Sequence, residues 1–188
     1  LKYLADNDFA HLSGDELKEA IKGEIEKIKA ELTVDALAVD TQCETLILTD
    51  ENGTPGRPAI VWLDNRAVEE AEIITEHFGH KKVYEITGQP EITATWPACK
   101  LLWVKRHEPE VWAKTKKIFL LEDWILYKLT GRFISEKTLQ SSTIYFDIHK
   151  AEWWSEMLDF IGVAPEMLPE LHSSAIKVGE YDGMQVVT

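Results

Sequence analysis

The sequence predicts an α/β domain, because short runs of β-forming residues alternate with segments of helical periodicity along most of its 188 residues. Hydrophobic residues make up 45% of the chain and charged residues 28%, which is typical of a globular domain that buries a core. No glycine- or serine-rich linker divides the chain. We therefore expect a single domain.

The first third of the chain predicts one helix and three strands. Ser13 and Glu16 form a capping box ahead of apolar residues at helical spacing, which predicts a helix over about residues 14–32. Three short runs are rich in β-forming residues: 36–40, 45–49 and 59–62. Asn52-Gly53 predicts a turn after the second of these strands.

The remaining residues continue the alternation. Apolar residues at helical spacing predict five further helices, over residues 66–78, 99–105, 110–116, 123–129 and 152–160. Gly79 is a suitable stop for the first of these, and Pro109 stands where the third would begin. Strands are expected over residues 118–121 and 143–148 from their residue types. Prolines and glycines interrupt every period between residues 165 and 183, where no element is predicted.

Composition excludes several classes of partner. The formal net charge of −13 argues against nucleic acid, which requires a clustered basic face. No stretch is apolar over the length that crosses a bilayer, so we expect no membrane partner. Cys43 and Cys99 are too few and too far apart to build a metal cluster. Two thiols in an acidic chain are typical of a reducing cytoplasm, which is the expected location.

Three segments contain the residue types that bind a small polyhydroxylated ligand: 40–45, 61–66 and 95–97. Carboxylates and amides bind hydroxyl pairs, and an aromatic face covers the C–H side of a sugar. Gln42 and Glu44 fall at predicted strand ends, where α/β proteins place ligands. Trp62 closes an apolar strand and Asp64 follows it. From the residues alone, Glu44 could equally be an exposed strand carboxylate and Asp64 a helix N-cap.

The run from Thr95 to Gly131, with its Lys-Leu-Leu-Trp, His-Glu-Pro-Glu and Tyr-Lys-Leu-Thr-Gly segments, resembles the FGGY carbohydrate kinases, and among them the xylulose kinases. Trp62 to Arg66 resembles the family's Ile-x-Trp-x-Asp-x-Arg block. The resemblance extends from about Asp35 to Gly179. It implies an actin-like ATPase (ribonuclease H-like) fold and ATP-dependent phosphorylation of a ketose or polyol, with xylulose to xylulose 5-phosphate as the first expectation.

The resemblance also implies which residues contact the substrate: Gln42, Cys43, Glu44, Trp62, Asp64 and Trp96. The two carboxylates would orient hydroxyls, and the two tryptophans would pack against the carbon chain. Cys43-Glu44 matches neither the Met-His usual in xylulose kinases nor the Arg-Glu of glycerol kinases. Thr95 stands where glycerol kinases place a tyrosine. Ribulose, erythritol and glycerol therefore stay open as alternative substrates.

Two parts of the family's catalytic apparatus are missing from this sequence. They are the Asp-x-Gly-Thr hairpin that meets the phosphates and the Gly-x-x-Asp segment whose aspartate is the general base. The resemblance implies that residues 185–188 form the strand that leads to this aspartate. We expect residues 1–188 to be an incomplete N-terminal, sugar-binding domain with no catalytic residue, cofactor-binding residue or metal ligand, and the catalytic aspartate just beyond Thr188. ATP and Mg²⁺ would bind mostly outside it. A non-catalytic sugar-binding module is the other open interpretation, and the family often forms homodimers.

Overall fold

The computed structural model describes residues 14–188. Its helices are α1 (Gly14–Glu31), α2 (Val68–Phe78), α3 (His80–Thr87), α4 (Pro97–His107), α5 (Pro109–Lys114), α6 (Leu121–Thr130), α7 (Lys137–Gln140) and α8 (Ser155–Ile161), with a 3₁₀ turn at Pro165–Met167. Its strands are β1 (Ala36–Ala38), β2 (Leu46–Thr49), β3 (Lys117–Leu120), β4 (Ile134–Glu136), β5 (Phe146–Asp147), β6 (Glu152–Trp153), β7 (Glu170–His172), β8 (Lys177–Tyr181) and β9 (Met184–Val187).

The strands form small sheets that join distant parts of the chain. The largest has the order β1-β9-β8, with β9 parallel to β1 and antiparallel to β8. Strands β2 and β3 form a buried antiparallel pair, and β4 pairs in parallel with β7. The turn between β8 and β9 has positive φ at Asp182 and Gly183, which suits a tight hairpin connection.

Helix α4 lies in the main core because its first half is almost wholly apolar. Every residue from Pro97 to Leu102 is buried. Ala98, Leu101 and Val104 pack in one cluster with side chains of α2, including Ile74. This position brings α4 behind β2 and the segment that precedes α2, where the predicted sugar-binding residues lie.

Most of the strongly periodic segments form the predicted elements. The helices at 14–32, 66–78, 99–105, 110–116 and 123–129 are confirmed within a few residues, and so are strands at 36–40, 45–49, 118–121 and 185–188. Gly79, at φ 74°, ends α2, and Pro109 begins α5. The predicted capping box includes Ser13, which lies outside the described residues.

Other predictions were wrong, each for a local reason. The strand at 59–62 is reduced to one bridge between Ile60 and Leu46, because a turn follows at residues 62–63. The strand at 143–148 shrinks to β5, since Ile144 has a φ of 56°, outside the extended region. The helix at 152–160 is confirmed over its larger part as α8, whereas its first two residues form β6, which pairs with β5. Helices α3 and α7 and strands β4, β7 and β8 were not predicted.

The tryptophans outside the proposed site are part of the scaffold. Trp124 and Trp154 are buried, and three more pack partly buried against the main core: Trp103, Trp112 and Trp153. No helix among residues 14–188 combines the length and apolar character needed to cross a membrane.

Candidate functional site

Two turns contain five of the six predicted sugar-binding residues: the first turn (residues 42–44), before β2, and the second turn (residues 61–64), before α2. Gln42 and Cys43 are exposed in the first turn. Glu44 is half-buried and has a φ of 62°, in the left-handed region that few residues other than glycine adopt. Glu44 is therefore not an ordinary exposed strand carboxylate.

Lys100 of α4 joins these two turns. Its side chain is fully buried, and its Nζ donates hydrogen bonds to the backbone carbonyls of Val61 at 2.9 Å and Trp62 at 3.1 Å. A longer contact of 3.5 Å reaches the carbonyl of Glu44. Burial lowers the pKa of Lys100 to about 8, against the opposing effect of Asp64 and Glu44.

Asp64 is held by Arg66 in the second turn. The Asp64 carboxylate accepts hydrogen bonds from the Arg66 backbone N–H at 3.0 Å, from Nε at 2.9 Å and from Nη2 at 2.7 Å. These bonds keep the pKa of Asp64 below its usual value. Helix α2 has Ala67 at its N-cap, so the N-cap interpretation of Asp64 is wrong. The Arg66 guanidinium also stacks over Trp103, 4.7 Å from the ring centroid.

The two predicted aromatic contacts differ in accessibility. Trp62 is 41% exposed between two other exposed apolar residues, Val61 and Leu63. Trp96 is half-buried, stands at the N-cap of α4, and donates its indole N–H to the Glu91 carbonyl at 2.8 Å. Trp96 also precedes Lys100 by one helical turn, so that both lie at the start of α4.

A group of carboxylates lies near the first turn. Burial, assisted by the negative charges of Glu136 and Asp40, raises the pKa of the half-buried Glu122 to about 7. Burial and the charges of Glu44, Glu122 and Asp40 raise the pKa of the Cys43 thiol. Negative charge therefore surrounds the first turn, and two cations, Lys100 and Arg66, contact residues of the two turns.

Sequence reasoning missed Lys100 and Glu122. Lys100 is the one charged residue between Trp96 and Val104, and a lysine inside an apolar helical run is a signal that could have found it. Glu122 lies beside a second acidic residue, Asp123, at the start of a helix. Nothing local distinguishes it from a solvated first-turn carboxylate.

The described residues do not fit a nucleoside triphosphate at this site. Lys100 is fully engaged with backbone carbonyls and Arg66 with a carboxylate, which leaves an acidic surface around the turns. Among residues 14–188, one group of possible metal-binding side chains comes together: Glu69, Glu70 and His107. The guanidinium of Arg106 already pairs with both glutamates there. A cation in that group would compete with Arg106.

Relatives with assigned names match this chain over most of its length. The xylulose kinase of Staphylococcus xylosus is 33% identical over 139 residues, which cover 74% of this chain and 29% of that protein. The glycerol kinase of Thermococcus onnurineus is 35% identical over 162 residues, which cover 83% of this chain and 32% of that protein. The chain therefore spans less than a third of the length of these curated relatives.

Solved structures share the fold. A ligand-bound xylulose kinase from Lactobacillus acidophilus superimposes with a TM-score of 0.81 at 22% identity, covering 92% of this chain and 37% of that one. The Plasmodium falciparum glycerol kinase with ADP gives a TM-score of 0.82 at 24% identity, with the same coverage. These matches confirm the actin-like ATPase fold. The model of the FGGY family of carbohydrate kinases, N-terminal domain, matches residues 4–185, and the chain belongs to this family.

Proposed function

We propose that this chain is the acceptor-binding part of a longer kinase that transfers the γ-phosphoryl group of ATP to a hydroxyl of a ketose or polyol. The observation that carries the proposal is the joining of the two turns through Lys100, which brings the segments of Glu44 and Trp62 together beside Asp64. Family membership supplies the reaction class. Under this proposal, residues 1–188 are part of the N-terminal domain.

The turn residues have the chemistry to hold a sugar. The carboxylate of Asp64 is ionised at neutral pH because Arg66 stabilises its charge, and an ionised carboxylate accepts hydrogen bonds from hydroxyls. Glu44 offers a second acceptor from the opposite turn. The exposed indole of Trp62 provides an apolar face for the carbon chain. Gln42, Cys43 and Trp96 complete the proposed contacts.

We propose that ATP and Mg²⁺ bind mostly outside this chain, and the acidic turns described here do not fit a triphosphate. When bound, Mg²⁺ neutralises charge on the transferring phosphoryl group. The residues described here orient the acceptor hydroxyl and keep its position fixed.

We propose xylulose as the first substrate to test. The support is the repeated occurrence of xylulose kinases among the curated relatives, from Staphylococcus xylosus, Lactococcus lactis and Escherichia coli. Glycerol kinases also match at similar identity. A panel of xylulose, ribulose, erythritol and glycerol, read by ADP release from the complete protein, separates these acceptors.

Asp64→Ala in the complete protein tests the assignment of the site. We expect the KM for the acceptor sugar to rise about tenfold or more, because a charged hydrogen-bond partner of the sugar is lost. The KM for ATP should stay within about twofold. Asp64→Asn retains an oxygen that can accept the hydrogen bond from the Arg66 backbone N–H. It therefore separates the effect of losing this bond within the turn from the effect of losing the carboxylate charge. Asp159→Ala, at an exposed position of α8, is the matched control. Equal increases in both KM values would contradict the assignment.

A further inference from the structure

Lys100 is a buried cation with backbone carbonyls as its hydrogen-bond partners. Lys100 has no exposed surface. Its ammonium group contacts the carbonyls of Val61 and Trp62 and, at the longer distance of 3.5 Å, that of Glu44. An ammonium has three donors, so three carbonyls match its capacity. Lysine is rarely buried completely, because its charge must leave water. This cost makes a purely space-filling role a poor explanation.

The contacts of Lys100 begin where regular pairing between the two segments ends. Leu46 and Ile60 exchange two backbone hydrogen bonds of 2.9 Å. The two segments leave this bridge and enter the two turns at Val61, one residue after Ile60, and at Glu44, two residues before Leu46. The carbonyls of Val61 and Glu44 then point to the same ammonium group. Lys100 therefore continues the connection between the segments into the turns.

The charge of Lys100 also favours the approach of the two turns. The carboxylates of Glu44 and Asp64 both stabilise the ammonium form, and Arg66 opposes it. Two carboxylates close to one ligand repel each other unless a cation lies near them. A positive charge behind the turns reduces this repulsion without occupying the surface that faces solvent.

We propose that Lys100 is a positioning residue for the sugar: its ammonium group fixes the distance between the two turns, and so the spacing of the Glu44 and Asp64 carboxylates. This inference rests on the proposed function. Lys100 does not itself contact the substrate. Its loss should therefore weaken sugar binding and leave nucleotide binding unchanged.

The test compares Lys100→Met with Lys81→Met in the complete protein. Methionine keeps an unbranched side chain without the donors, and Lys81 is a control because its side chain is 87% exposed on α3. We expect Lys100→Met to raise the sugar KM about tenfold or more, with the ATP KM within about twofold. Lys81→Met should change neither value. Lys100→Gln, which keeps a shorter N–H donor, is the second variant if Lys100→Met does not fold.

Hydrogen exchange provides a readout that needs no sugar. Backbone amides of residues 41–46 and 60–66 should exchange faster in Lys100→Met than in wild type or Lys81→Met, because both turns lose their shared partner. Unchanged exchange in both turns would overturn the proposal. Unchanged sugar KM in an active Lys100→Met enzyme would also overturn it. A wild-type protein that phosphorylates no sugar would count against the proposed function alone, and exchange would still decide the role of Lys100.

The pH profile distinguishes positioning by charge from simple packing. Sugar affinity of the wild type should decline as the pH rises through about 8, where Lys100 loses its proton. The titratable and charged groups that face Lys100 are Asp64, Glu44, Cys99 and Arg66. Lys100→Met retains them all, together with Cys43, and should lack the decline that Lys100 causes. Identical profiles in both proteins would contradict the charge-dependent part of the proposal.

Discussion

A buried charge lies at each end of helix α4, and the partners of the two charges differ. Near the start, the ammonium of Lys100 is bound by neutral backbone carbonyls of two turns. Near the end, Arg106 and His107 contact the fully buried carboxylate of Glu70 on α2, with the His107 Nε2 3.3 Å from Oε1. The first arrangement joins backbone segments, whereas the second joins two helices through side chains.

This difference indicates that the two ends of α4 have different structural roles. Val61 and Trp62 lie in an exposed turn, so a rearrangement of this turn can bring their carbonyls to water if Lys100 is lost. Glu70 has no exposed surface, so its carboxylate has no such alternative. Loss of the ion pair should therefore affect mainly stability, and loss of Lys100 mainly the geometry of the turns.

Arg106→Leu is expected to have the largest effect on folding. It leaves the buried Glu70 carboxylate without its arginine partner and with His107 as its remaining side-chain contact in the described chain, which should lower the free energy of unfolding. Urea unfolding of the complete protein measures the loss. Glu69→Gln is the matched control, because Glu69 pairs with the same arginine from an exposed position. Arg106→Leu should also cost more stability than Lys100→Met, and the reverse order would contradict the comparison.

Asp123 is a third buried ionisable group, and it sharpens the comparison because no cation among residues 14–188 pairs with it. Its Oδ2 accepts hydrogen bonds from Leu120 N–H at 3.2 Å and Gln140 Nε2 at 3.1 Å. Burial raises the pKa of Asp123 to about 8. The carboxyl is therefore protonated in the folded protein at neutral pH. In the unfolded chain the aspartate side chain has its ordinary pKa of about 3.8 and is ionised.

The expected consequence is a loss of stability with rising pH. Between about pH 4 and pH 8 the folded state holds one more proton at Asp123 than the unfolded state, so stability falls as pH increases. From pH 5 to pH 7 this group contributes a decrease of about 2–3 kcal/mol. Asp123→Asn resembles the protonated acid and should remove that part of the decrease. Parallel unfolding profiles for wild type and variant across pH 5–7 would contradict the assignment.

The fold could be predicted where its signals are local. Helices α2 and α5 follow from apolar spacing, from Gly79 and from Pro109, which act on the backbone of their own segment. Strands β4 and β7 are three residues long and pair in parallel across 36 residues, so their pairing depends on the tertiary structure. The division of residues 152–160 depends on β6 pairing with β5.

The candidate site follows the same rule. The segments around Glu44 and Asp64 could be selected from their residue types and from resemblance to a family. Which carbonyls converge on Lys100 depends on two other parts of the chain, whose contacting residues are 38 to 56 positions from Lys100 in the sequence. The raised pKa of Glu122 likewise depends on Glu136 and Asp40, which only the folded chain brings near.

Cys43 offers the smallest expected effect and a direct test of whether the first turn contacts the sugar. Cys43 is exposed, whereas Cys99 is buried and burial raises its pKa to about 12. Iodoacetamide at pH 8 should therefore label Cys43 and spare Cys99, as read by peptide mass spectrometry. Saturating sugar should slow the labelling of Cys43 several-fold, and ATP alone should not. Labelling needs no turnover. Full reactivity of Cys43 in the presence of a saturating acceptor sugar, one that the complete protein phosphorylates, would therefore exclude the first turn from the site. This conclusion would hold even if Asp64 in the second turn proved essential.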